Sequence, residues 1–177
     1  SEGPAAFYSA DYFADYPPGY ILVLGLVSLV RKALQLSYES RWTYFLLALI
    51  PAICDCAAVV LLDHISRRYM GQGRAQRCLV LFAAFCPLTL FDTGIWKQID
   101  GAFALPLLLC FWLLEERRYL LAAVLYGVAL AIKPQALLAG PVLAVCFLVA
   151  IADAVRDGKS PLKSVGQIFG GAALALL

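Results

Sequence analysis

The sequence predicts an all-α polytopic membrane protein, a bundle of transmembrane helices, and three observations carry that prediction. Of 177 residues, 63% are hydrophobic and only 15% are charged, against roughly a quarter charged in soluble domains. The mean hydropathy is +0.82. A chain this short cannot bury so much apolar surface in one water-soluble core, and disorder needs the opposite balance of hydrophobicity and charge. Second, apolar stretches alternate with short polar turns along the sequence. Third, the basic residues gather in alternate turns. A net charge of +2 with scattered charges excludes a nucleic-acid-binding surface. Lipid is the solvent for most of the chain.

Spans are predicted at 42–62, 79–93, 101–114, 119–132 and 136–152, with a sixth beginning near Val165. A full crossing takes about 20 residues. The stretches 101–114 and 119–132 fall short of that, so their outer ends are expected below the bilayer surface. Before these spans, Tyr20–Leu36 is apolar but only 17 residues long and ends near Arg31 and Lys32. By hydropathy it favours a crossing; the alternative is a helix that lies in the interface or dips without crossing. The chain opens Ser1-Glu2-Gly3 and stops inside an apolar run at Leu177, as expected for a piece of a longer polytopic protein.

Orientation follows from Lys and Arg. The loop 63–78 carries Arg67, Arg68, Arg74 and Arg77; a later turn carries Arg117 and Arg118; another carries Arg156, Lys159 and Lys163. With the spans above, all of these fall on one side, which the positive-inside rule makes cytoplasmic. Loops 94–100 and 133–135 then face outside. The six cysteines (Cys54, Cys56, Cys78, Cys86, Cys110 and Cys146) sit in or beside apolar stretches, where free Cys behaves as a small hydrophobe. No disulfide, metal site or cofactor is predicted.

Four polar clusters stand out against this background. Asp11 to Tyr20 contains two carboxylates, Asp11 and Asp15, beside a Pro17-Pro18 turn suited to begin a helix. It reads either as a helix-starting turn with aromatic anchors or as carboxylates held to bind sugar hydroxyls or to act as a base. Asp92 to Asp100 packs two carboxylates, Lys97, Gln98 and Trp96 into nine residues. That is far more polar chemistry than a turn needs, and an aromatic platform with planar hydrogen-bonding groups suits carbohydrate. Lys133-Pro134-Gln135 interrupts an apolar run; Lys133 either snorkels or meets a phosphate as a point charge. Asp55, inside span 42–62, needs an interior partner, with Lys133 or Arg41 available, and reads as an interhelical structural contact. His64 reads as a loop residue. No phosphate-binding Gly-rich loop or Ser/His/Asp set is present.

In this order the clusters resemble the GT-C superfamily of membrane glycosyltransferases. The resemblance rests on Asp15-Tyr16-Pro17-Pro18, the intramembrane Asp55, Pro87 followed by Asp92-x-Gly94, the Trp96-x-Gln98-x-Asp100 turn and the Lys133/Gln135 pair. It runs from about Asp11 to Phe147. The chain is similar to the dolichyl-phosphate-glucose-dependent glucosyltransferases, and more closely to bacterial mannosyltransferases with Asp-Tyr-Pro-Pro-Gly and Trp-x-Gln-x-Asp forms. The resemblance implies a partial GT-C fold and inverting transfer of a hexose from a polyprenyl-phosphate-sugar donor to a glycan or lipid-linked acceptor on the extracytoplasmic face. A bacterial plasma membrane is favoured over endoplasmic reticulum. It makes residues 1–41 part of the first extracytoplasmic loop, with Tyr20–Leu36 as a juxtamembrane helix, and residues 42–177 the transmembrane bundle. Asp11 and Asp15 are then the catalytic candidates, while Trp96, Gln98, Asp100, Lys133 and Gln135 bind substrate. Two departures stand out: eukaryotic members have His-Phe-Gln-Tyr-Asn at the Trp96 turn, and their Lys and Gln are adjacent, whereas Pro134 intervenes here. The family's usual catalytic Asp lies early in its first outer loop, ahead of Ser1, so this piece by itself is expected to be inactive. A transporter or flippase for a lipid-linked or polar solute, or a non-catalytic membrane scaffold, are the rival readings from the residues alone.

Overall fold

A computed structural model describes residues 17–156, 165–166 and 170–171, and no strand occurs among them. Asp11 and Asp15 lie outside the described residues. The bundle is inside-out relative to a soluble protein. Phe82, Leu88 and Leu138 are 70%, 80% and 84% exposed, whereas Cys110, Ala122, Ala129 and Ala136 are fully buried. Small residues inside and large apolar ones outside are what lipid selects, because close backbone approach rather than apolar burial drives helices together there. Three helical stretches, Arg41–Met70, Arg74–Trp96 and Pro134–Asp153, are long and apolar enough to cross a membrane, and Tyr119–Ile132 is a shorter apolar helix.

Helix α1 runs Pro18–Ala33. Pro17 and Pro18 start it where a missing N–H costs nothing, and Gln35, at φ 53°, ends it. Arg31 closes the following turn by donating to the Leu36 carbonyl at 2.7 Å and stacking 3.6 Å over the Tyr38 ring. Helix α2, Arg41–Met70, is capped by Ser40 and ends at Gly71, whose φ of 67° a side chain rarely adopts. It outlasts the predicted span by two turns because its final polar residues satisfy one another. Asp63 accepts from Arg67 at 3.1 Å and from the buried Gln76 at 2.6 Å, and Gln76 also reaches Ser66. His64 is therefore helical rather than in a loop, and meets Trp112 edge-on at 5.8 Å.

The expected span 79–93 is longer and broken. Helix α3 covers Arg74–Ala84 and α4 covers Pro87–Phe91, because Pro87 cannot continue the preceding ladder. A π-helical turn, Asp92–Trp96, follows. Helices α5, Asp100–Glu115, and α6, Tyr119–Ile132, match the two short spans to within a residue. They pack on each other through Cys110, Leu113 and Ala122, joined by Leu143 from the next helix. A 3₁₀ turn, Pro134–Ala139, precedes α7, Gly140–Arg156. Pro141 lacks the N–H that would carry the α-helical ladder back to Leu137. Near the expected sixth span, residues 165–166 and 170–171 are helical. Gly171 approaches α6 so closely that a Cβ there would lie 2.5 Å from the Leu120 carbonyl.

Two contacts set the direction of travel. Gly101 at the start of α5 abuts Asp55 midway along α2, and Arg68 near the end of α2 pairs with Glu115 and Glu116 at the end of α5. Helices α2 and α5 therefore run parallel, with α6 returning against them. One end of the α5–α6 pair carries the basic turns. The other carries Asp100 and Lys133, and α1 begins there too, with Gly19 against the Ala131 carbonyl of α6.

Candidate functional site

Geometry at the Asp100 end starts with the turn after α4. The Asp92 carbonyl accepts from the N–H groups of both Lys97 and Gln98. This double bond widens the last turn into a π turn, a form found often at functional positions. Lys97 takes a left-handed conformation, φ 55° and ψ 37°, and reverses the chain so that Asp100 can open α5. Buried Ile99, 5% exposed, anchors the reversal. The Lys97 ammonium bonds the Ile95 carbonyl at 3.2 Å and sits 5.4 Å from the Tyr44 ring. Trp96 is left projecting, 68% exposed, braced edge-on by Phe91.

Thr93, on the buried side of the same turn, donates to the Asp55 carboxylate at 2.5 Å. An ionised group inside a span is costly without such a partner, so Thr93 is what holds Asp55 in place. The pair also fixes the π turn to α2. Directly beside it, Gly101 leaves no room for a side chain, since a Cβ would lie 2.8 Å from the Pro51 carbonyl oxygen and would overlap the Asp55 carboxylate. Asp100, the next residue back, is thus seated by a close backbone approach between α2 and α5.

Lys133 completes the group. Its Nζ forms an ion pair with Asp100 and lies 5.8 Å from the Phe103 ring. The two partners differ in exposure: the Lys133 side chain is 16% exposed and that of Asp100 is 42%. The φ of −148° at Lys133 breaks α6 and turns the ammonium toward α5. Asp55, Asp92, Thr93, Trp96, Asp100, Gly101 and Phe103, with apolar Leu88 and Phe91, line an open cavity of about 390 Å³. Aromatic faces, hydrogen-bonding carboxylates and an ammonium beside an apolar slot form a set that can hold a sugar carried on a lipid.

The structure brings Trp96, Asp100 and Lys133 together. Gln98 is half-buried in the same turn, whereas Gln135 lies exposed on the 3₁₀ turn and does not line the cavity. Asp55 pairs with Thr93, not with Lys133 or Arg41 as its sequence context suggested, and faces the cavity. Thr93, Gly101 and Phe103 escaped notice in the sequence. Only the adjacency of Gly101 to Asp100 was a usable signal there. Among the described residues, no three His, Cys, Asp or Glu side chains converge closely enough to share a metal ion. A second cavity, about 490 Å³, lies at the basic end among Tyr69, Glu115, Arg117 and Asp153, and contains none of the predicted site residues.

The sequence profile described as GT87, glycosyltransferase family 87, matches residues 13–177. No curated protein and no solved structure matches the chain.

Proposed function

Because the chain belongs to glycosyltransferase family 87, a membrane glycosyltransferase family, we propose that the Asp100 end of the bundle is where sugar transfer takes place, with a polyprenyl-phosphate-linked hexose as donor. One observation carries this reading. Asp55, Trp96 and Asp100, from three separate segments, line one cavity, and Lys133 from a fourth is held beside it by its ion pair with Asp100, at one end of the short α5–α6 pair. A structural turn has no use for that convergence.

Depth supports a lipid-borne donor. At 1.5 Å per residue the 16 residues of α5 span only about 24 Å, less than a hydrocarbon core about 30 Å thick, so with the basic turns at the inner surface the Asp100 end stops short of the outer one and the cavity there is open to lipid. There a phosphate on a lipid can meet a hydroxyl from water. Residues 1–41 then belong to the extracytoplasmic loop and residues 42–177 to the bundle, an assignment supported by the start of α1 beside Lys133's helix.

In the proposed reaction the acceptor hydroxyl attacks the anomeric carbon from the face opposite the phosphate. An acceptor oxygen–carbon bond forms, the carbon–phosphate oxygen bond breaks, and the configuration inverts. A carboxylate, Asp11 or Asp15, takes the hydroxyl proton, help worth roughly 10²–10⁴-fold. Polyprenyl phosphate leaves with the bonding electrons, and the Lys133 ammonium stabilises its charge. Trp96 stacks on the sugar ring, Gln98 and Asp100 bind its hydroxyls, and Gln135 meets the acceptor. Lys133→Ala and Asp100→Ala in the full-length protein should each abolish transfer from a radiolabelled polyprenyl-phosphate-sugar while leaving folded protein in the membrane. Undiminished transfer in both variants refutes the site.

A further inference from the structure

Lys133 is not free in this structure: Asp100 already holds its ammonium. We propose that Asp100 is the positioning residue of the site, a resident counter-ion that the donor's phosphate displaces from Lys133 and that then turns to the donor's sugar. The inference rests on the reading above, in which Lys133 meets that phosphate.

The unequal exposure of the pair sets the direction of exchange. A Lys133 side chain only 16% exposed cannot give up one anion without gaining another, because an unpaired charge at that depth is strongly disfavoured. The 42%-exposed Asp100 can be released at small cost, since its carboxylate is then hydrated or bonded by hydroxyls. Sharing is the alternative, as an ammonium has three donors. Charge balance opposes it. Asp55 and Asp92 line the same cavity as Asp100, so a phosphate added beside an undisplaced Asp100 would join three carboxylates at a site with one ammonium at its edge, and like charges held together destabilise one another. Exchange removes the nearest of those carboxylates from the phosphate.

Exchange also links two recognition events. Asp100 lines the cavity with Trp96, and the anomeric carbon of the donor is joined directly to its phosphate. A phosphate seated on Lys133 therefore leaves the sugar beside the released carboxylate, which accepts from its hydroxyls. A phosphorylated lipid without sugar opens the pair and gains nothing from Asp100. A sugar without phosphate cannot open it. The site thereby selects the conjugate over either half.

The test measures binding of farnesyl phosphate, a short sugar-free polyprenyl phosphate, to the full chain in nanodiscs, with farnesol as the phosphate-free control. Asp100→Asn keeps the side-chain shape and removes the competing charge. It should bind farnesyl phosphate roughly three- to tenfold more tightly, the order expected when one partly exposed ion pair no longer competes, while sugar transfer falls. Lys133→Ala should weaken binding, and most of the gain from Asp100→Asn should be lost when it is added to Lys133→Ala. Farnesol binding should be the same in all four proteins. Weaker binding in Lys133→Ala, with Asp100→Asn unchanged or weaker, overturns the exchange and leaves the phosphate-binding reading standing. Unchanged binding in Lys133→Ala removes that reading and the exchange with it. An Asp100→Asn gain of the same size without Lys133 also overturns the exchange, because Asp100 would then act by repelling the phosphate or by structure and not through Lys133. Retained melting temperatures in the variants establish that each is folded.

Discussion

Gly101 offers the sharpest test of how the cavity is built. Replacing it by Ala adds one carbon, 2.8 Å from both the Pro51 carbonyl oxygen and the Asp55 Cγ. Ordinary van der Waals contact begins near 3.4 Å, so α5 must move away from α2 by at least about 0.6 Å, and further to clear the nearer Asp55 carboxylate oxygen, since close atom pairs repel steeply. The Asp55 side chain cannot simply swing aside, because Thr93 holds its carboxylate at 2.5 Å, and the Pro51 carbonyl belongs to the helix backbone. Overpacking of this kind costs about 1–3 kcal/mol. The displacement falls on the residue next to Asp100 and shifts it against Lys133. Misplacement of a site group by 1 Å can cost about 10²-fold in rate, so Gly101→Ala should lower sugar transfer by roughly ten- to a hundredfold, with a lower melting temperature in detergent. Gly25→Ala is the matched control, since nothing lies within 4 Å of a Cβ there. It should keep full activity and gain about 0.5–1 kcal/mol from the better helix former. Wild-type activity and melting in Gly101→Ala would refute the close approach of α2 and α5 at the site.

Two further predictions follow from the same contacts. Thr93→Val removes the donor to Asp55 and leaves a carboxylate inside the bundle short of its partner, at a cost of about 1–3 kcal/mol; Thr93→Ser should restore the melting temperature, and a valine variant as stable as the parent contradicts the pairing. With the native cysteines replaced, an impermeant thiol reagent added outside intact cells should label Gln135→Cys and not Gly73→Cys, because the first stands at the Lys133 end and the second at the basic end; labelling of both from outside would invert or abolish the assigned orientation.

The family match also decides between the functional readings that the residues left open. Glycosyl transfer accommodates the carboxylates, indole and ammonium at one end of the bundle, whereas a solute pathway would want such groups along its length. Asp63, Ser66 and Gln76 bond one another at the opposite end, where they fasten α3 to α2 and do not line the Asp100 cavity. The polar groups of the bundle thus divide into a structural knot at the basic end and a cavity at the other.

Composition and hydropathy by themselves determined the solvent of this protein and its helical class, because a lipid environment admits few structures and demands long apolar runs. They also determined the two short helices to within a residue, since charged turns bound both. The order of polar clusters sufficed to indicate glycosyl transfer, and Trp96, Asp100 and Lys133 were legible as candidates because nothing in a simple turn requires them. Tertiary structure alone decided which charges pair. The assignment of Thr93 to Asp55 depends on the π turn lying against α2, and that of Lys133 to Asp100 across 33 positions on α6 returning in close contact with α5, and no local pattern encodes either register. The extension of α2 past its apolar segment was likewise hidden, because Asp63 and Ser66 are satisfied by Gln76 from the next helix. Hydropathy weighs each residue against lipid, whereas the cost of a buried charge is set by the neighbour that meets it.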